Sequence, residues 1–385
     1  MTGAAIVGVS DHVEPSGVID MPLRALETRV IVEALADAGL TLADVDGLAT
    51  CTGGALMHSV ELAEYLGISP RWTDSTQTGG ATYGLYVEHA AAAIASGLAE
   101  VVVIVYASTP RAARRRGETG LGTFVTPERA EFEAPFGLMP PIGAYALAAD
   151  RHRAVYGTTA EQLAQVAVDT RRWAARNPRA HLREEITVED VLTSGSVAEP
   201  LHKLDCCLVT DGAAALVVTS AERARDLRRP PVHVLGAASA HSHTMISQMP
   251  DLTITPGATS GPAALRQAGL KTADVDVVEL YDSFTVTVVL ALEDLGFCAK
   301  GEGGPFVASG ALAPGGSLPG QTTGGGLAYT HPGAFGAFLL VEATRQVRGE
   351  CGDRQVEDVD VALAHGVGGV LSATSTVVLG REAAS

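Results

Sequence analysis

Three side chains combine acid–base chemistry with a setting that would hold them still. His331 follows the run Gly324-Gly325-Gly326-Leu327-Ala328-Tyr329-Thr330 and precedes Pro332-Gly333. Glycine admits positive φ and proline fixes it, so the backbone around that imidazole is heavily constrained. His365 opens a second glycine run, His365-Gly366-Val367-Gly368-Gly369. A tight turn with close backbone approach there would frame a pocket, and a turn-capping histidine is the structural alternative. Tyr281 directly follows the apolar stretch Val275–Leu280, at the end of a strand or buried in the core. An imidazole titrates near pH 6.5 and shuttles protons unaided, whereas a phenol near 10 needs help from its neighbours. Together they suit general acid–base catalysis. Gly79 and Gly80 precede an alanine-rich helix. Amides at such a helix start either stabilise an oxyanion or simply begin the helix.

The elements that must position these residues are repeated. Residues 33–48 (EALADAGLTLADVDGL) and 263–278 (AALRQAGLKTADVDVV) share nine of sixteen positions at an offset of 230. Each copy has a helical apolar period ending in Ala-Gly-Leu, with the glycine expected as the left-handed cap, then a turn and an apolar strand. A second correspondence follows in the same order. Gly79-Gly80 precedes a helix over Glu88–Ser96 and the strand Val101–Tyr106; Gly324-Gly325 precedes a helix near Phe338–Val347 and the strand Val359–Ala364. The chain is therefore a duplicated α/β unit, with halves at 1–225 and 226–385. Val101–Tyr106, Ala214–Thr219 and Val361–Ala364 are apolar throughout, as strands buried on both faces are. Between the halves' recurring blocks, about Ser108–Ser196, lies a stretch richer in Arg, Glu and Pro, with a helix over Ala160–Asn177. It is expected as an insertion above the first half, where Phe136 and Met139-Pro140-Pro141-Ile142 would line a tunnel, form a lid or meet another subunit. The run Val101–Ile104 is apolar enough to be an edge that pairs with itself, which predicts a two-fold homodimer.

Composition narrows the remaining possibilities. Among 385 residues, 27 Lys and Arg oppose 44 Asp and Glu, a net charge of −17. Such a surface repels phosphate backbones and excludes general nucleic-acid binding. Arg111, Arg114, Arg115 and Arg116 are a basic island in this acidic chain, able to hold phosphates or to form a solvated loop. Five cysteines without CxxC spacing indicate neither a disulfide framework nor zinc. Cys51, at a strand end, is the one tempting nucleophile, though a lone cysteine is usually a small hydrophobe. Cys206 and Cys207 are expected to pack in the core, with Asp205 and Asp211 as turn and cap residues. His241 and His243 lack an acidic third ligand and read as loop histidines, so no metal is expected. No apolar run approaches about 18 residues, and the N-terminus has no basic segment of a signal peptide. A cytoplasmic protein without membrane insertion is expected.

The phrase from Pro200 to Leu216 (PLHKLDCCLVTDGAAAL) and the segment from Gly324 to Gly333 resemble the thiolase family. The block Glu279-Leu280-Tyr281-Asp282-Ser283-Phe284 resembles most its sterol-carrier and lipid-transfer branch. The likeness covers essentially the whole chain and implies a five-layered αβαβα fold built from two βαβ halves. It also implies an acyl-CoA substrate and, CoA apart, no cofactor. Thiolases place a nucleophilic cysteine before the alanine-rich helix, a position that falls here at Gly80 or Ala81. Their second cysteine, in a Cys-x-Gly-x-Gly turn, is matched to His365, and the Asn or His of a third motif to Tyr281. Only His331 is retained. Some members of this branch that lack the cysteine are aldolases that cleave steroid side-chain CoA esters beside an OB-fold, zinc-ribbon partner. The resemblance thus implies retro-aldol cleavage of a β-hydroxyacyl-CoA. Tyr281, His331 and His365 would be catalytic, and Gly79, Gly80, Gly325, Gly366, Arg111 and Arg115 would bind substrate. The alternatives are Claisen-type acyl transfer and a non-catalytic acyl-CoA-binding scaffold.

Overall fold

The computed structural model describes residues 3–52, 57–118, 126–138 and 141–383. Its strands are β1 (Ala4–His12), β2 (Gly47–Ala49), β3 (Trp72–Asp74), β4 (Val101–Ser108), β5 (Ser196–Ala198), β6 (Leu201–His202), β7 (Gly212–Ser220), β8 (Val232–His241), β9 (Val277–Leu280), β10 (Val361–Gly368) and β11 (Ala373–Gly380). Nine form one ladder in the order β3-β2-β4-β7-β1-β8-β11-β10-β9, while β5 and β6 pair apart from it. The duplication is explicit in the register. In the first half β2–β4 is parallel, then β4–β7 and β7–β1 are antiparallel. In the second β9–β10 is parallel, then β10–β11 and β11–β8 are antiparallel. The halves meet where Ala5 and Ile6 of β1 pair with His233 and Val232 of β8.

The repeated motif folds twice in the same way. Helix Leu23–Ala38 ends at Gly39 (φ 76°) and helix Gly257–Ala268 at Gly269 (φ 70°), both left-handed caps. Each of these outer helices lies against a glycine of its half's first strand. A Cβ at Gly8 would stand 2.0 Å from the Ala34 carbonyl oxygen, and one at Gly236 would stand 2.1 Å from that of Ala264. Two further helices, Thr82–Ala95 and Gly336–Arg348, touch strands of both halves and are buried nearly all round. The order is therefore helix, sheet, helix, sheet, helix. Along β4 the residues alternate between two cores: Val101, Val103 and Val105 join the outer one, Val102 and Ile104 the central one.

β4 is not an edge. It lies between β2 and β7, and the ladder ends at β3 and β9. Uninterrupted apolar sequence reports burial of both faces, which a central strand needs as well, so it cannot by itself locate an edge. The inserted stretch carries helices Pro110–Arg115, Pro127–Phe132, Ile142–Tyr156, Ala160–Ala175 and Val188–Leu192. The one starting at Ala160 is capped reciprocally: Thr159 Oγ1 accepts the Gln162 amide and Gln162 Oε1 accepts the Thr159 amide. Phe136 is exposed; Met139 and Pro140 lie outside the described residues. Among those residues no helix is long and apolar enough to cross a membrane.

Candidate active site

The site forms where the second half's strand ends meet the start of the central helix Thr82–Ala95. Tyr281 leaves β9 with its amide bonded to the His365 carbonyl at 2.9 Å. Its hydroxyl lies 3.0 Å from His331 Nε2 and 3.0 Å from the Gly333 carbonyl, and it accepts the Phe335 amide at 3.1 Å. Tyr106, from β4, grips the same loop by donating to the Pro332 carbonyl at 2.7 Å and accepting the Ala334 amide at 2.9 Å. His331 is thus fixed from both halves of the chain, and it keeps partial exposure while Tyr281 is buried.

Gly80 lies under the tyrosine ring. A Cβ there would stand 2.2 Å from Tyr281 Cε2 and 2.4 Å from the Val367 carbonyl oxygen. Gly336 and Gly366 cross the Gly80 carbonyl in turn, at 2.1 and 2.8 Å from their own ideal Cβ positions. Gly79 has φ +66° and abuts Gly368 and Gly369. The glycines are needed because three backbone segments converge without room for side chains, and the side chain nearest the Cβ position of Gly80 is a phenol.

Electrostatics assigns protonation states. Burial depresses the His331 imidazole to about 4 even though backbone hydrogen bonds at His331 and Leu208 favour its charged form. It is neutral at pH 7 and able to accept a proton. Burial also raises the Tyr281 phenol well above its ordinary value, only partly opposed by the Phe335 amide. It is protonated at pH 7. A neutral base and a neutral acid therefore share a hydrogen bond.

His365 does not join them. Its Nδ1 is 2.9 Å from Thr376 Oγ1, and its ring faces Gly257 of the outer helix. Gly366 and Gly368, the next residues of the opposite alternation, face Gly80 and Thr78. The frame Cys-x-Gly-x-Gly therefore fits Ala364-His365-Gly366-Val367-Gly368, with alanine at the thiol position. Matching His365 to that thiol was one residue out, which on a strand means the wrong face.

The basic island also divides. Arg111 Nη1 lies 2.8 Å from His181 Nε2, while the Arg111 amide bonds Asp211, so its head is committed to packing. Arg115 is exposed. Gly325 (φ +54°) contributes backbone beside the carboxylate of Asp282. Asp211 caps the amides of Ile19, Arg111 and Ala112, as its turn role requires.

Several residues near the site were not legible as such. Tyr145, on the inserted helix, donates to the Gly369 carbonyl at 3.3 Å and packs on Phe284 at 4.4 Å between ring centroids. Cys207 is half-buried rather than fully in the core. It lies within electrostatic reach of Asp282 and Tyr281, and burial followed by the Asp282 charge pushes its thiol upward, away from a nucleophile's range. Cys51 lies 3.8 Å from the Tyr83 hydroxyl, with its thiol likewise raised by burial. All five cysteines are free.

A duplicated five-layer α/β fold with a phenol–imidazole pair at its glycine crossing defines a class, and sequence comparison agrees with it. The family described as Thiolase C-terminal domain-like matches residues 238–381. A 17-hydroxy-3-oxo-4-pregnene-20-carboxyl-CoA lyase of Mycobacterium tuberculosis is 40% identical over 90% of this chain and 92% of its own. An acetyl-CoA acetyltransferase of Methanothermobacter thermautotrophicus is 33% identical over 99% of this chain and 100% of its own. The solved structure of an Ltp2-ChsH2(DUF35) aldolase superposes with TM-score 0.89 at 36% identity, covering 98% of both chains. This chain belongs to the thiolase superfamily, in the branch that includes the sterol carrier proteins.

Proposed function

We propose that this protein cleaves a β-hydroxyacyl-CoA by retro-aldol reaction, giving a ketone or aldehyde and a shorter acyl-CoA. The observation that carries the reading is the tyrosine over Gly80. A thiolase-type cysteine at this position has no room beside Tyr281, and the group that takes the space is suited to moving protons. The β-hydroxyl proton passes to the Tyr281–His331 pair, with the phenol handing its own proton to Nε2 as it receives the substrate's. The Cα–Cβ bond breaks, its electron pair enters the thioester as an enolate, and the new carbonyl departs. The proton held by the pair then returns to Cα, so the enzyme ends as it began. Backbone amides at the helix start by Gly79 and Gly80 stabilise the enolate oxygen, a contribution of about 3–4 kcal/mol per well-placed donor.

The lyase and aldolase relatives support a ring-bearing, steroid-like acyl group, and the Ltp2-ChsH2(DUF35) relative supports a second protein of the OB-fold, zinc-ribbon kind beside this one. A homodimer in the cytoplasm, with CoA supplied by the substrate and no further cofactor, completes the proposal. The short strand β3, the first-half end of the ladder, is the edge through which two copies would pair.

The test is incubation with β-hydroxyacyl-CoA esters, detecting the released carbonyl compound and the intact protein mass. Tyr281→Phe should lower kcat by about 10²–10⁴-fold with little change in KM. A stable acyl adduct on the protein, or full turnover by Tyr281→Phe, would overturn the mechanism.

A further inference from the structure

The glycine-rich segment that delivers His331 is held from below by one carboxylate. Asp282 is fully buried, and among the described contacts it has no cationic partner. Its Oδ1 accepts the Gly326 amide at 2.6 Å and its Oδ2 the Leu327 amide at 3.1 Å. The fit is tight. A Cβ on Gly325 would stand 2.0 Å from Oδ2, and one on Gly326 would stand 3.1 Å from both Asp282 Oδ1 and His331 Cδ2. Gly326 is therefore the spacer between the carboxylate and the imidazole. Residues Gly325–Tyr329 wind in a wide π-helical turn entered through Gly324 at φ 97°, a conformation whose amides need partners from outside the turn. The far end is tied by the Tyr329 hydroxyl to Asp11. Adjacent residues at the end of β9 thus grip one strap twice: Asp282 takes its start, Tyr281 its close at Gly333 and Phe335.

We propose that Asp282 is a positioning residue for the acid–base pair, setting where His331 Nε2 stands relative to the Tyr281 hydroxyl by clamping the Gly326 and Leu327 amides. Nothing in its contacts reaches the reacting atoms directly. Geometry held this way is sensitive, since a displacement of about 1 Å at a reacting group costs about 10²-fold in rate. The clamp also titrates. Burial raises the Asp282 carboxyl to about 6, with the Gly326 and Leu327 amides opposing. The ionisable groups facing it are Cys207 from the segment before β7, Tyr281 from its own strand end and His331 from the turn. Of these, only Asp282 changes charge near pH 6. Protonation below that point removes one acceptor oxygen and loosens the turn.

The inference rests on the lyase reading only for its activity arm. Asp282→Asn keeps the shape and one acceptor. It should lower kcat about 10-fold with KM within about twofold, and the acid limb near pH 6 should vanish from its kcat profile. Asp282→Ala should lower kcat about 100-fold. The second arm needs no substrate: the His331 ring resonances of histidine-labelled full-length protein, assigned by their loss in His331→Asn. In wild type they should shift through a transition near pH 6 that Asp282→Asn abolishes. If wild type is inert on β-hydroxyacyl-CoA yet this transition appears, the reaction reading fails and the clamp stands. If Asp282→Asn folds with wild-type kcat, an unchanged acid limb and unchanged His331 resonances, the clamp is refuted.

Discussion

Adding one methyl group at Gly80 should disable the enzyme, and the structure says how. Gly80 has no positive φ, so alanine is conformationally acceptable there and even gains helix propensity of up to about 1 kcal/mol. Only space forbids it. The new Cβ would lie 2.2 Å from Tyr281 Cε2 and 2.7 Å from Cζ, against an ordinary carbon–carbon contact of about 3.5–4 Å. The Val367 carbonyl at 2.4 Å is backbone of a strand paired with β11 at Thr374, not the far end of a flexible side chain. The ring must therefore move by about 1 Å or more. It is packed edge-on against His331 and Phe335, at 5.7 and 6.0 Å between centroids, and its hydroxyl has three partners. Moving it breaks the contact with Nε2. Gly80→Ala should cost about 1–3 kcal/mol of stability by overpacking and lower kcat about 10²-fold by misplacement. The decisive comparison is kcat for Gly80→Ala, Tyr281→Phe and the double variant. Both changes disable one device, so the double variant should be little worse than the poorer single variant. A Gly80→Ala enzyme with wild-type kcat, or losses that multiply in the double variant, would refute the packing argument.

Two other outcomes follow from residues placed outside the pair. His365→Leu should leave kcat within about twofold of wild type while reducing the protein's loss of stability in acid. The buried imidazole's folded value of about 4 lies below its ordinary 6.5, so the unfolded chain binds its proton first and stability falls as pH drops from about 6.5 to about 4. The full drop is about 3 kcal/mol, read as urea midpoints at several pH values. Arg115→Ala should raise KM for CoA thioesters by up to about fivefold without altering kcat if the exposed guanidinium meets a CoA phosphate. An unchanged KM at low salt would return that island to solvent.

Much of this architecture was legible because duplication and burial leave marks in sequence. The repeated helix–Gly–strand block fixed the correspondence of β2 with β9, and the all-apolar runs marked β4, β7 and β10 as strands covered on both sides. His331 could be found because Gly324 and Gly325 supply positive φ and Pro332 a fixed one, so local sequence alone constrains its backbone. The failures have a common cause in information that spacing does not carry. Tyr145 sits on a helix whose buried face is mostly alanine, and nothing local says that one phenol on it reaches Gly369. Cys207 has apolar sequence neighbours that suggest core, whereas it is half-buried and its amide donates to the Ser283 carbonyl on another segment, a contact that sequence spacing does not carry.

The face of β10 on which His365 stands bears on the reaction. On a strand, two residues apart is the same face and one apart is the opposite face. Counting from Gly366, which meets the Gly80 carbonyl, the same face carries Ala364 and Gly368. Neither position has a titratable group. On the proposed correspondence, with Ala364 and with Gly80 or Ala81 at the two thiolase cysteine positions, neither position carries a titratable side chain. On the proposed mechanism, proton transfer is assigned to Tyr281 and His331, whose hydroxyl oxygen and Nε2 lie 3.0 Å apart. A Claisen cycle needs a nucleophile and a separate acid, whereas a retro-aldol cleavage needs one proton taken and one returned. A pair that can only lend and recover a single proton is chemically matched to the second and insufficient for the first.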